Sequence, residues 1–570
     1  MFCFSTLRQF LGTHIFLEHL LNLYRKHNKS PLKMSNTAVY DYIIIGAGSA
    51  GCVLANRLSN DPNIKVLLLE AGPTDWNPMI KIPLLWSKLV KGKWYDWGYR
   101  TQPERYLNQR EIAVPRGKIL GGCSSINAMG YVRGNPADFE RWKGTGLSEW
   151  GYDQVLPFFK KTETWSGGEN EFRGGNGPLH LQPSQYHDPI FDAYMEAAKL
   201  IGLHHVEDYN GQNQIGLGRT QQNIFNGYRH SSVDAYLRPA LKRPNLHLKV
   251  AQFVTRLVIE REQALGLVVA SRNNTQKYIR AEKEVIVSCG TINTPHLLML
   301  SGVGPSDQLK KQGVKVIFDA PEVGQNLQDH ISAGVTYDRK EAGPFVKNTR
   351  YDRLTIDLVR AYFLGNGLAT DFPAGLTGFT KIDKKSDAPD IRLLFRMAPI
   401  NSHPWFPFFQ AAWNDEFSLR AILLHPESRG NLSLISDNPK IPLQIKPNFL
   451  STTNDRRVLL EGLKLCRELS ERNPLDKFRG LEKEPGSNLQ SDDELYDYIG
   501  NTAFPIDHLC GTCRMGNDER SVVDPKLRVR GISNLRIVDA SVMPDITSGG
   551  INAPVLMVAE KASDFITEAQ

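Results

Sequence analysis

The stretch YDYIIIGAGSAGCVLANRLSNDPNIKVLLLEAG, residues 40–72, decides how the chain begins to fold. YDYIIIG is a short β-branched run, as a strand buried on both faces should be. Gly46-Ala47-Gly48-Ser49-Ala50-Gly51 follows, then a segment whose apolar residues at 53, 54, 55 and 58 suit a helix. KVLLLE reads as a second buried strand and ends at Glu70. The pattern G-x-G-x-x-G thus stands in its informative context: strand, tight turn, helix, strand, then an acid 19 residues past the last glycine. Gly46 permits the turn, Gly48 lets backbone approach a pyrophosphate, and Gly51 allows close helix–strand packing. Ser49 and Ala50 open the helix whose N–H groups and dipole face the phosphates, and Glu70 is placed to bind ribose hydroxyls. The competing reading is a glycine-rich turn that merely joins strand to helix; the full context outweighs it.

The motif serves FAD and NAD alike. No second G-x-G-x-x-G follows a strand: GVGPSD at 302–307 lacks the third glycine, and its proline is unsuited to a helix that must donate N–H groups. A flavoprotein reduced by a nicotinamide normally needs two such sites. One site fits an enzyme that draws electrons from its own substrate.

Composition narrows the classes further. A chain of 570 residues suggests more than one domain, and 41% apolar with 23% charged residues is ordinary for a globular protein. The net charge of +7 comes largely from the first 34 residues, where Arg8, Arg25, Lys26, Lys29 and Lys33 face only Glu18. The remainder is near balance and holds no clustered basic face, which argues against a nucleic-acid partner. Seven cysteines in so long a chain do not make a disulfide framework and suit a reducing compartment. Residues 1–34 are amphipathic but lack a small-residue cleavage site, so they read as a mitochondrial-type presequence, an interfacial helix, or an extension before a true start at Met34. The expected location is cytoplasmic or peripheral to a membrane, or mitochondrial if that segment is a presequence.

The stretch RGKILGGCSSINAMGYVRGNPADFERW, residues 116–142, joins Gly121-Gly122 to a hydroxyl-rich turn and then to Asn127-Ala128-Met129. GTINTPHLLMLSGVG at 290–304 follows the apolar strand EVIVSCG. Together these resemble the two signature motifs of the glucose-methanol-choline (GMC) family of FAD-dependent oxidoreductases. The resemblance runs from 40 to 565 through NLQDH at 326–330 and the C-terminal INAP, and is nearest to the choline dehydrogenase-like branch. It departs from the usual pattern at Cys123, where serine or threonine is commoner, although choline oxidases and their relatives also carry GGCSS. The resemblance implies a Rossmann-like α/β (α+β) FAD-binding domain assembled from separated segments, with a substrate domain of antiparallel sheet and helices. Residues 35–151, 226–330 and 501–570 are expected in the first, and 152–225 and 331–500 in the second. It further implies that Gly122, Asn127, Ala128, Met129, Val254, Asp539 and Ala540 meet the flavin nucleotide. In choline oxidases a histidine at the place of Ile126 is bonded to the flavin; isoleucine cannot form that bond, so non-covalent FAD is expected.

DHLCGTCRMG, residues 507–516, leaves a choice of chemistries. Cys510-Gly511-Thr512-Cys513 is spelled like a thiol redox pair, but such a pair should open a helix after a strand near the front of a small domain. Zinc would need four ligands, and no second C-x-x-C or spaced histidine pair lies at a suitable distance, so no metal site is expected. Buried packing is the reading adopted for both cysteines. In the family, His508 of H-x-x-G-T is the catalytic base: it takes the hydroxyl proton of an alcohol while hydride passes to flavin N5. The resemblance places Asn552 as the hydrogen-bond donor to the substrate oxygen. The implied substrate is a primary alcohol, choline-like or apolar/aromatic, with oxygen or quinone as electron acceptor. A lyase or light-driven family member, and a thiol oxidoreductase using Cys510 and Cys513, are the alternatives.

Overall fold

The computed structural model describes residues 38–270, 276–371, 373–399 and 402–568. The expectations for residues 1–34 lie outside them. The opening stretch folds as β1 (Ala38–Ile45), α1 (Ser49–Leu58) and β2 (Val66–Leu69). β1 and β2 pair in parallel, Ile43 opposite Leu67, and Ile43, Ile44 and all of β2 are buried. Runs this apolar form strands covered on both faces.

On the other side of β1 lies β3 (Gln276–Val287), also parallel; Leu246–Lys249 extends the sheet beyond β2, and Leu535–Ile537 pairs with the last residues of β3. The antiparallel hairpin Phe253–Glu260 and Gln263–Ala270 continues from the first half of β3. Strand order reverses at β1, and the carboxyl ends of the parallel strands open on one crevice. That is where an open α/β sheet binds its ligand. α2 (Gly290–Leu300) follows β3 and brings the second signature stretch to the same edge.

A second, wholly antiparallel sheet is built around β4 (Ile331–Arg339), with β5 (Ile391–Arg396) and β6 (Glu416–Leu423) in the order β4-β6-β5. Leu376–Thr380 and Gly216–Arg219 extend one side and Arg479–Glu484 the other. Phe504–Pro505 pairs with β4, so the expected division at 501 falls one short strand early. One face packs on the helix Thr453–Ser470, whose Val458, Leu459, Leu463 and Cys466 share a core with Leu393, Phe395, Leu419 and Ala421. Alternation then turns Arg392, Leu394, Arg396, Arg420 and Ile422 toward the first sheet.

The stretch 426–450 holds the antiparallel pair Asn431–Ser433 and Gln444–Lys446, in line with its alternating pattern. Of the aromatics between 345 and 417, Phe345, Phe379, Phe395, Trp413 and Phe417 are buried, while Tyr362, Phe363, Phe406, Phe408 and Phe409 are exposed. Phe372 lies outside the described residues. No helix of the described residues is long and apolar enough to cross a membrane.

Candidate active site

A cavity of about 780 Å³ lies between the two sheets. Its size suits a cofactor with its substrate. Gly46, Gly48, Ser49, Ala50, Glu70, Gly122, Asn127, Ala128, Met129, Val254, Asp539, Ala540, His508 and Asn552 line it; Gly51 does not. The glycines of the dinucleotide turn divide their work as the motif requires. Gly46 sits at φ +96, where a Cβ would stand 2.4 Å from Ser288 O. A Cβ on Gly51 would meet Gly46 O at 2.0 Å, which explains its absence from the cavity wall: it is the contact between helix and strand. Gly48 faces open space, with nothing within 4 Å of a Cβ placed there. α1 carries no side-chain cap, so its first N–H groups are left for an anion.

Glu70 is buried, with Oε2 accepting Ala47 N–H at 3.0 Å and Oε1 accepting Gly72 N–H at 2.7 Å. Burial pushes its carboxyl up to about 7 against those hydrogen bonds. Each oxygen retains a lone pair for a ribose hydroxyl. Gly122, at φ +53, brings the first signature stretch against the turn: its Cβ would lie 3.0 Å from Gly48 Cα. Asn127 Oδ1 accepts from Met129 N and from Arg229 Nη1. Asp539 ties the strand end to α2, accepting from Gly290 N at 2.8 Å and Thr294 Oγ1 at 2.6 Å. Val254 pairs with Val269 and is half-buried at the rim. These donors, acceptors and cradle fit a flavin nucleotide. Ile126 is buried on the wall with no atom that could bond a flavin.

His508 follows Asp507, which sits in the left-handed region at φ +65. The His508 backbone N–H donates to Asp329 Oδ1 at 2.6 Å, and Arg116 Nη1 donates to Asp507 O at 2.9 Å. The ring is fixed by a residue the sequence reading quoted but gave no role. His330 Nε2 lies 3.0 Å from Leu424 O, and a carbonyl only accepts, so that nitrogen carries the proton. His330 Nδ1 is then the acceptor, and His508 Nδ1–H donates to it at 2.9 Å. The hydrogen-bond chain thereby assigns the tautomer of His508 and leaves Nε2 with a free lone pair. Burial, followed by His330, Arg392 and Arg116, holds His508 well below the usual histidine value, and burial brings His330 down to about 3. Both rings are neutral at pH 7.

Nε2 of His508 faces Gly550, whose Cβ would lie 3.6 Å away. Asn552, expected as the donor to the substrate oxygen, lines the same cavity and accepts a hydrogen bond from Ser49 Oγ at 2.7 Å on its Oδ1. It opens the helix Asn552–Glu568 beside the head of α1.

Cys510 and Cys513 are free and buried, and burial raises both thiols well above the ordinary value. A thiol held protonated away from solvent is a poor nucleophile. Among the described residues no group of three or more metal-ligating side chains converges.

A dinucleotide-binding sheet, joined through one cavity to an antiparallel sheet with the His330–His508 pair at its end, fits a flavin-dependent oxidoreductase. Comparison with known proteins gives the family. GMC oxidoreductase profiles match residues 40–332 and 426–559, and the chain belongs to the GMC oxidoreductases. It is 39% identical over 530 residues to the oxygen-dependent choline dehydrogenase of Brucella ovis, covering 92% of this chain and 95% of that one. Among solved structures it resembles pyridoxine 4-oxidase from Mesorbium loti, with TM-score 0.83 and 33% identity over 94% of this chain and 99% of that one. A variant of the Aspergillus oryzae RIB40 formate oxidase, solved for the effect of a mutation on FAD modification, gives TM-score 0.86 and 28% identity over 94% and 99%. The protein is thus an FAD-dependent alcohol oxidoreductase of the choline dehydrogenase-like kind.

Proposed function

We propose that the chain oxidises a primary alcohol to an aldehyde, with His508 Nε2 as the base. The observation that carries this is the hydrogen-bond chain Leu424 O–His330–His508, which turns an unprotonated nitrogen into the cavity. The hydroxyl proton passes to Nε2 as the carbon–hydrogen bond breaks and the carbonyl forms, the hydrogen leaving with its electron pair. Bound FAD supplies the acceptor for that hydride. Arg116 and Arg392, the cations that act on His508, favour the negative charge developing on the substrate oxygen. Gly550 leaves the space before Nε2 to the substrate, and Asn552, its Oδ1 tied to Ser49, keeps its N–H groups for donation to the substrate oxygen. Gly46, Gly48, Ser49, Ala50, Glu70, Gly122, Asn127, Ala128, Met129, Val254, Asp539 and Ala540 hold the nucleotide, and Gly51 holds the turn. The oxygen-dependent relatives support oxygen as the species that takes the electrons on.

The test is anaerobic. Holoprotein is mixed with choline, benzyl alcohol, a long-chain alkanol, 6-hydroxyhexanoate and glucose, and the oxidised flavin band is followed. Bleaching by at least one primary alcohol is expected. A yellow protein that none of them bleaches contradicts the proposal and favours a lyase or light-driven chemistry.

A further inference from the structure

The cavity wall facing the dinucleotide sheet is a patch of β5 and β6. In register, Arg392 stands opposite Ile422, Leu394 opposite Arg420, and Arg396 opposite Ser418. The intervening Ile391, Leu393 and Phe395 are buried on the other face. Three guanidinium groups therefore rise from one small area of sheet into the cavity. The backbone makes room for one of them: a Cβ at Gly334 would lie 2.6 Å from Arg420 Cγ.

Arg392 and Arg420 are buried and Arg396 half-buried, and none of the three has a carboxylate in direct contact. Arg392 is 7% and Arg420 8% exposed. Of the other buried arginines, Arg133 and Arg173 share Glu163, Arg339 holds Asp188 and Arg536 holds Glu284, while Arg229 bonds only carbonyl and amide oxygens. The three on this wall have weaker company. Arg392 Nε donates to Thr377 Oγ1, Arg420 donates to Ser332 through Nε and Nη2, and Arg396 Nε has no partner. Glu416 and Glu484 are the carboxylates that act on Arg396, but they bond Lys483 and Thr336. Burial lowers all three guanidinium groups, as expected where a counter-charge is wanting. Lys88 and Lys91 add two more cations at the rim, and Lys91 is lowered by burial, then by Lys88 and Arg396. Uncompensated buried charge is costly, and an anion among these groups offsets it.

We propose that this wall binds a carboxylate carried by the alcohol substrate, with Arg396 and Arg420 taking the anion, Lys91 closing over it, and Arg392 beside the base. The proposal rests on the reading of His508 given above. Arg392 is the wall arginine that acts on His508, and Arg396 lies four residues further along β5, about 13 Å away. Leu394 and Ile422 lie between, so an apolar chain of several carbons separates carbinol from carboxylate. The substrate class is a medium-chain hydroxy acid. A quaternary ammonium alcohol would meet the same cations as repulsion.

Isothermal titration of holoprotein with hexanoate and with hexyltrimethylammonium tests the anion site without turnover. Hexanoate is expected to bind, about tenfold or more weaker in Arg396→Gln and partly restored in Arg396→Lys; the cation is expected not to bind. The same preparations are then reduced anaerobically by 6-hydroxyhexanoate and 1-hexanol, and the ratio of their apparent affinities should fall by about tenfold in Arg396→Gln. Thermal unfolding checks that each variant is folded, and Arg420→Gln repeats the test from the neighbouring strand. Binding of the cation as tight as that of hexanoate, or hexanoate affinity unmoved in both glutamine variants, overturns the proposal. If 1-hexanol reduces the flavin as well as the hydroxy acid does, the carboxylate site fails while alcohol oxidation stands. If hexanoate binds as expected but neither alcohol bleaches the flavin, the carboxylate site stands and the alcohol reading fails.

Discussion

His508→Gln is expected to slow anaerobic flavin reduction by about 10²–10⁴-fold while FAD stays bound, because it removes the proton acceptor and leaves the nucleotide side untouched. Glutamine keeps a polar side chain of similar length, and the backbone bond to Asp329 does not depend on the ring. Stopped-flow absorbance gives the rate, and the flavin-to-protein absorbance ratio gives the occupancy. The wild-type pH profile belongs to the same expectation. Burial and the neighbouring cations lower the His508 value below 6.5, so the neutral, active form is present above that pH and is lost only as pH falls through the lowered value. The reduction rate should therefore stay level from neutrality through pH 6.5 and drop only at pH well below it. A residual rate near wild type in His508→Gln would remove the base from its role.

The glycines of the dinucleotide turn give the second large effect, and it separates cofactor binding from folding. Gly48 has φ −75, open to any residue, and no neighbour within 4 Å of a Cβ. Gly48→Val should leave the thermal midpoint of the apoprotein near wild type but lower FAD content by about tenfold or more, since the added methyls occupy the phosphate cradle. Gly51→Val drives side-chain atoms into the Gly46 carbonyl, 2.0 Å from the Cβ position, and backbone on both sides cannot yield. It should destabilise the apoprotein itself by about 3 kcal/mol or more. Equal loss of midpoint in the two apoproteins would show that the cradle is part of the packing after all.

Much of the first sheet could be read from local pattern, because buried parallel strands are continuous apolar runs and the turn between them needs glycines at fixed offsets. Gly46, Gly48 and Glu70, which line the cavity, are legible for the same reason: they follow strand ends. What the sequence hid has physical causes. His330 lies 178 positions from His508, and long-range pairing of Phe504–Pro505 with β4 and of Cys510 with Gln328 brings the two rings together. IRLLFR reads as an ordinary strand with a charged outer face; nothing local says that this face looks into a cavity rather than into water.

The central claim is tested most directly by an isotope effect. Holoprotein is mixed anaerobically with a saturating alcohol that bleaches its flavin, and again with the same alcohol bearing deuterium in place of both hydrogens on the carbinol carbon. The account predicts that flavin reduction slows severalfold with the deuterated alcohol and that the product is the deuterated aldehyde. Equal rates for the two, with an aldehyde that retains no deuterium, would contradict hydride transfer from carbon and with it the account of His508.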